Sequence, residues 1–132
     1  KQNQGLYSPV QASSRIYSSQ DIERWHINEM KSLLSRFSGV KFIFDDVKQK
    51  YYPVLRDAIT SFRSKNEGKP LVVIDDTPFI DFDILDYPVN DIEEIFLLKG
   101  SDAAIWGPKA SNGIIVIITQ RGKSTKIEQK EE

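Results

Sequence analysis

The sequence predicts an α+β domain, a small mixed β-sheet with short helices, on three observations. Leu71–Ile74, Ile92–Leu98 and Ile114–Thr119 are runs of strand length, β-branched and aliphatic, of the kind that fill buried strands. The polar, turn-rich segments between them are too short for regular crossover helices. Ahead of them Ile22, Trp25, Met30, Leu33, Leu34 and Phe37 recur every three to five residues, which lays an apolar stripe along one helix or two abutting short ones.

Residues 1–14 are polar, carry Gly5 and Pro9 and show no periodicity, so they are expected as an extended lead-in. A short strand at 15–17 leads to Ser18, which with Asp21 three residues on forms a helix-capping pair; Asn28 is placed to cap a second helix. Gly39 stands where a left-handed stop belongs. Residues 40–44 form a strand ended by Asp45 and Asp46, Val54 and Leu55 suggest a brief further strand, and 64–68 read as a solvated loop. Pro70 opens a central strand, buried on both sides, that Asp75, Asp76 and Pro78 close. Ser101 is placed to cap one helical turn through Asp102, Ala103, Ala104 and Ile105, stopped by Gly107 and Pro108. The chain thus divides into a lead-in at 1–14, a domain at 15–122 and a charged, solvated tail at 123–132.

Composition narrows the function. With 132 residues and no Cys, the chain holds one domain of ordinary size and no thiolate chemistry. It carries no apolar run long enough for a membrane-spanning helix and no signal-peptide core at its start. Residues 1–70 carry a net +5 and residues 71–132 a net −6, and 71–98 contains no Lys or Arg, so no uniformly basic face exists for nucleic acid.

No catalytic constellation stands out. His26 is the only histidine, and a lone His near a helix kink is more often structural than a general base. Asp75, Asp76, Asp81, Asp83 and Asp86 are oxygen ligands of the kind Ca²⁺ accepts, but they lack the ordered spacing and mid-loop glycine of a calcium loop. A solvated acidic loop is the favoured reading. No serine lies in a nucleophile elbow, and Gly100, Gly107 and Gly113 are not spaced to cradle phosphate. Of the aromatic residues Tyr51, Tyr52, Phe79, Phe82, Tyr87 and Trp106, about half are expected in or at the edge of the core, the rest being free to stack on a sugar or meet a partner. No metal or cofactor is expected.

The stretch IEEIFLLKGSDAAIWGPKASNGIIVIITQRG, residues 92–122, resembles the plug domain of TonB-dependent outer-membrane receptors. That family places a strand, Gly100, a small-residue turn at Ala103 and Ala104, the pair Trp106 and Gly107, a loop, Gly113 and a last strand ending near Thr119 and Arg121. PLVVIDDTPF at 70–79 resembles the preceding strand and turn, and residues 16–42 the opening strand, helix and glycine stop at Gly39. Where the family has an acid-glycine turn this chain reads Asp75-Asp76, and Asp tolerates left-handed backbone. The best match to an upstream Arg-Gly pair is Arg56-Asp57, and 1–14 shows no TonB-box peptide. Pro70 to Asp75 and Ser111-Asn112-Gly113 are most similar to the SusC-like branch of Bacteroidetes, which imports glycans and peptides.

The resemblance implies a non-catalytic domain that fills a β-barrel lumen in the outer membrane, or else faces the periplasm, its signal sequence removed or outside this chain. The barrel is absent from these residues. Expected partners are that barrel, TonB and a SusD-like surface lipoprotein, with a glycan or peptide as substrate and nutrient uptake as the role. Loops at 76–90 and 107–112 would face substrate or partner, with Asp76, Phe79, Asp81, Asp83, Tyr87, Lys109 and Asn112 as the contact residues. The Lys- and Glu-rich tail suggests a rival: a barrel-less, plug-like interaction module at the C-terminus of a larger exported protein. A small hydrolase would instead need a buried polar constellation around His26.

Overall fold

In the computed structural model, which describes residues 15–55 and 68–121, the strands are β1 (Tyr17–Ser18), β2 (Val40–Asp45), β3 (Lys50–Leu55), β4 (Leu71–Ile74), β5 (Thr77–Phe79), β6 (Ile92–Leu98) and β7 (Ile114–Thr119). Two short helices, α1 (Ser19–Arg24) and α2 (Met30–Leu34), follow β1. The lead-in, the tail, Arg56-Asp57 and 64–67 lie outside the described residues.

The three apolar runs are adjacent strands. The sheet order is β1-β6-β7-β4-β5, with β7 antiparallel to β6 and parallel to β4, which makes it the mixed sheet expected. β7 rather than β4 is the middle strand, although β4 is interior as well. Strand alternation divides the buried side chains into two sets. Val72, Ile95, Leu97, Ile115 and Ile117 meet Ile22, Met30, Leu33, Leu34 and Phe37 from the helices. Leu71, Val73, Phe96, Leu98, Ile114 and Val116 meet Ala103, Trp106 and Ala110 from the β6–β7 connection. A strand buried on both faces cannot alternate polar and apolar residues, so β4 and β7 are apolar almost throughout and β6 is so from Ile95 on, its Glu93 and Glu94 lying at the partly exposed start.

Helix α1 begins as its sequence demands. The Ser18 hydroxyl accepts from the Asp21 N–H at 3.3 Å and the Asp21 carboxylate accepts from the Ser18 N–H at 2.9 Å. The second helix differs from expectation: Glu29, not Asn28, holds the cap position, with no side-chain bond. The stop at Gly39 is as read, with φ 85°.

The β6–β7 connection is a corner of three 3₁₀ turns, at Gly100–Asp102, Ala104–Trp106 and Pro108–Ala110. Ser101 does not cap it, because the first turn already includes Gly100 and has no side-chain cap. Pro108 opens the third turn at a first-turn position rather than stopping the second, where its missing N–H costs nothing. Gly107, at φ 84° and ψ −168°, takes the chain between turns through a region essentially reserved for glycine. A Cβ there would meet nothing within 4 Å, so backbone conformation alone requires the glycine. Ala103 packs on the sheet, whereas Ala104 is exposed, so only one of the two alanines lets the corner approach closely.

The middle of the chain holds more structure than its sequence suggests. Residues 50–55 are all strand, pairing with β2 in full register from Val40 opposite Leu55 to Asp45 opposite Lys50. Asp75 and Asp76, at φ 49° and 73°, form a two-residue turn that brings Ile74 opposite Thr77. Left-handed backbone at both turn positions matches the twist of a tight hairpin, so the Asp-Asp pair does close a turn. Gly68 is buried, not part of a solvated loop.

Candidate functional site

Strand direction assigns the resemblance residues to opposite ends of the sheet. Because β4 and β7 run parallel and β6 antiparallel to them, Asp75, Thr119, Arg121 and Asp91 lie at one end, while Gly100, Ala103, Trp106, Gly107 and Gly113 lie at the other.

A polar tie closes the first end. The Asp75 carboxylate accepts from the Thr119 N–H at 3.0 Å and from the Thr119 hydroxyl at 2.5 Å, while the Asp75 N–H donates to the Ile117 carbonyl at 3.0 Å. Thr119 is fully buried, so this acceptor satisfies a hydroxyl that water does not reach. Asp91 accepts from the Tyr87 hydroxyl at 2.5 Å and pairs with Arg121 at 3.4 Å. Burial first, and then that hydrogen bond, push the Tyr87 phenol well above its usual value. Tyr87 is therefore a half-buried tie rather than a free loop aromatic.

The acidic loop is bound to the basic half of the chain. Lys48 pairs with Asp81 at 3.2 Å and Asp83 at 3.1 Å, and Lys50 with Asp83 at 3.5 Å and Asp86 at 2.7 Å. Lys69 bridges Asp45 at 3.1 Å and Asp81 at 2.8 Å while lying 4.8 Å over the Tyr52 ring. The carboxyls of Asp45 and Asp81 fall below the usual range chiefly because Lys69 hydrogen-bonds them, and that of Asp83 because Lys48 does. Lys48 and Lys50 are raised mainly by Asp83 and Asp86. For Lys69 burial pulls downwards most strongly, and the bonds to Asp81 and Asp45 outweigh it. The space left in this seam is about 20 Å³, the scale of one water. Asp81, Asp83 and Asp86 are thus matched by ammonium groups while their side chains stay 48%, 44% and 62% exposed, so the acidic loop is solvated as expected and ion-paired as well; Asp75 and Asp76 are exposed turn residues, Asp75 being tied to Thr119.

The expected contact residues do not form one surface. Asp76 sits at the Thr119 end, whereas Asp81, at φ 59°, lies with Lys109 at the opposite end, where both line a shallow depression with Ile80. Phe79 is 37% exposed and packs on Phe82 at 5.2 Å between ring centres. Asn112, at 3% exposure, faces inwards and donates to the Lys69 carbonyl at 3.3 Å; it braces the corner and cannot face a ligand. Of the aromatic residues, Tyr52 and Trp106 are buried and Tyr51 is half-exposed. His26, at φ 56°, is exposed at the rim of an open groove of about 460 Å³ with Ser19, Glu23, Asn90 and Gln120. Its N–H ends α1 by donating to the Glu23 carbonyl at 3.1 Å.

What the sequence reading missed is the lysine partnership. Lys48, Lys50 and Lys69 are separated from their aspartates by up to 36 residues, and the only hint was the opposite net charge of the two halves.

Residues 8–114 match the TonB-dependent receptor plug domain family. Among solved structures the chain is similar to a variant of the ferric enterobactin receptor PfeA of Pseudomonas aeruginosa in complex with enterobactin (TM-score 0.63, 18% identity, covering 86% of this chain and 18% of that one). It is similar also to the siderophore receptor PirA of Acinetobacter baumannii (0.62, 20%, covering 81% and 17%). A third likeness is to the RagAB peptide importer in its open-open state (0.61, 22%, covering 86% and 12%). The chain spans less than a fifth of the length of these solved chains. A mixed sheet with its two long antiparallel strands joined by a glycine-spaced corner, matched by the family over most of its length, makes this chain a member of the TonB-dependent receptor plug domain family.

Proposed function

We propose that this domain fills the lumen of an outer-membrane importer of the SusC-like branch, gating passage while the barrel supplies the wall. Plug domains of TonB-dependent receptors reside in the outer membrane within the barrel, and the family implies a β-barrel partner and TonB. The observation that carries the reading is the β6–β7 unit. Its strands pair from Ile92 opposite Thr119 to Leu98 opposite Ile114, bridged by a corner with Ala103 and Trp106 packed beneath it. Both faces of the sheet are covered from within this chain, so the domain is a body that can occupy a lumen without lending strands to its wall.

The SusC-like assignment, with a SusD-like lipoprotein as partner and a glycan or peptide as substrate, is supported by the residues around Pro70 and Ser111-Asn112-Gly113 and by the likeness to a peptide importer. Asp76, Phe79, Asp81, Asp83 and Lys109 are the exposed residues assigned to contact with substrate or partner, and the domain is assigned to 15–122. In the parent receptor, deleting 15–122 is expected to open the outer membrane to large hydrophilic solutes and to abolish energy-dependent uptake; unchanged permeability refutes the gating role.

The alternative is a plug-like interaction module without a barrel. It is favoured by the helical backbone at Gln120 and Arg121 directly after β7, where a barrel strand would continue extended. The native reading frame after Glu132 separates the two: several hundred residues of alternating strands exclude the module, and an immediate stop excludes the importer.

A further inference from the structure

We propose that the outer half of the β2–β3 hairpin, residues 43–51, is a flap held to the sheet body by charge instead of by buried surface, and that it lifts when those charges are screened or removed. The inference rests on this seam alone and holds whether or not the parent protein contains a barrel.

The two halves of the hairpin are attached by different physics. At the inner half Val54 and Leu55 are buried, and Val40 and Phe42 pack against the main core. At the outer half Ile43, Phe44 and Tyr51 are 42%, 43% and 50% exposed and Val47 is 92% exposed, and Phe44 and Tyr51 cover each other in part, so lifting it uncovers less apolar surface than lifting the inner half would. Its described ties to the body are ionic or cationic. Lys48 and Lys50 reach Asp81, Asp83 and Asp86, Asp45 reaches Lys69, and Lys31 of α2 lies 4.7 Å over the Tyr51 ring.

The flap also carries its own internal structure. The β2–β3 ladder continues to the pair Asp45 and Lys50, the Phe44 and Tyr51 rings meet at 5.1 Å, and the Asp45 carboxylate caps its own turn through the Val47 N–H at 2.9 Å. It can therefore leave the body as a unit. The attachment is graded. The Lys48 and Lys50 pairs have side-chain exposures of 32–62% and are open to dissolved ions, whereas Lys69 and Asp45, at 16% and 13%, are sheltered. Salt should loosen the tip first, and full release should need Lys69 neutralised as well.

Because the chain has no cysteine, nitroxide labels go only where cysteines are placed. Pulsed dipolar spectroscopy on the pair Val47→Cys and Ile105→Cys tests the flap, and the pair Ser32→Cys and Ile105→Cys reports the body. At an ionic strength of about 10 mM the first pair should give one narrow distance. At about 1 M, where charge interactions extend only about 3 Å, a second and broader population should appear. Combining Lys48→Met, Lys50→Met and Lys69→Met should make that population dominant at low salt, and the matching three Lys→Arg changes should keep the narrow distance. The Ser32 pair should stay fixed throughout. A Val47 distribution unmoved by salt and by the methionines, or a Ser32 pair that broadens in step with it, would overturn the proposal.

Discussion

Replacing Asp75 with alanine removes both described acceptors of the buried Thr119 at once. The carboxylate takes the Thr119 N–H at 3.0 Å and its hydroxyl at 2.5 Å, and a hydrogen bond to a charged group contributes about 1.5–3 kcal/mol. Asp75 is itself exposed, so solvent competes and the lower end applies to each. Alanine must also hold the left-handed backbone at φ 49°, which costs about 1 kcal/mol more than for aspartate. The expected loss is about 4 kcal/mol, a large part of the roughly 5–15 kcal/mol typical of a domain. Thr119→Val is the comparison. It removes only the hydroxyl bond, leaves the N–H bond in place and frees a carboxylate that water can reach, for about 1 kcal/mol. Urea unfolding followed by the fluorescence of Trp25 and Trp106 measures both, with a fall in melting temperature of about 4 °C per kcal/mol as a cross-check. If Asp75→Ala costs no more than Thr119→Val, the tie between the β4–β5 turn and the end of β7 does not hold the sheet together as argued.

Acid should weaken the lysine–aspartate seam in a defined window. Asp45, Asp81 and Asp83 have lowered folded values, so their contribution is whole above the unfolded carboxylate value of about 3.9 and disappears as pH falls through the folded values. The urea midpoint should therefore hold down to about pH 4 and then drop, more shallowly when Lys48, Lys50 and Lys69 are methionine; an identical drop in that variant would refute the assignment. On the alkaline side Lys48, Lys50 and Lys69 are raised, so their contribution is whole below about 10.4 and is lost as pH rises through their folded values. Gly107→Ala should cost about 2 kcal/mol and Gly100→Ala about 1 kcal/mol, since φ 84° with ψ −168° is harsher for a side chain than the left-handed φ 56° of Gly100. Equal losses in chemical denaturation would show that the difference between the two backbone conformations does not set the cost. Phe96→Ala, emptying a fully buried site between β6 and the corner, should cost about 3–5 kcal/mol, whereas Ala104→Ser on the exposed side of that corner should stay within about 0.5 kcal/mol; calorimetry distinguishes them.

The strands and the glycine corner were legible in the sequence because their signals are short-range. An uninterrupted β-branched run such as Ile114–Thr119 has few choices besides a strand buried on both faces, and Gly39, Gly107 and Gly113 mark positive φ by lacking a Cβ. The Ser18–Asp21 cap spans three residues and reads directly. Even the Asp75–Asp76 turn follows from what aspartate tolerates. Where local signals were weak the reading fell short. Lys50 to Tyr52 showed no alternation that separated strand from loop, because the hairpin exposes Tyr51 while burying Tyr52, and Pro53 masked the strand's continuation.

The linear sequence determined which segments are strands, where the backbone must turn left-handed, and that the two halves of the chain carry opposite charge. Only the tertiary structure decided what those charges do. Whether Asp81 and Asp83 bind solvent, a cation or Lys48 depends on which ammonium groups the fold places within 4 Å, and Lys48 lies 35 residues from Asp83. In the same way Asn112, polar and in a loop, is buried because the Lys69 carbonyl comes to meet it. Propensity acts over a few residues and so is written locally, whereas charge pairing and burial depend on distances that exist only once the sheet order β1-β6-β7-β4-β5 has formed.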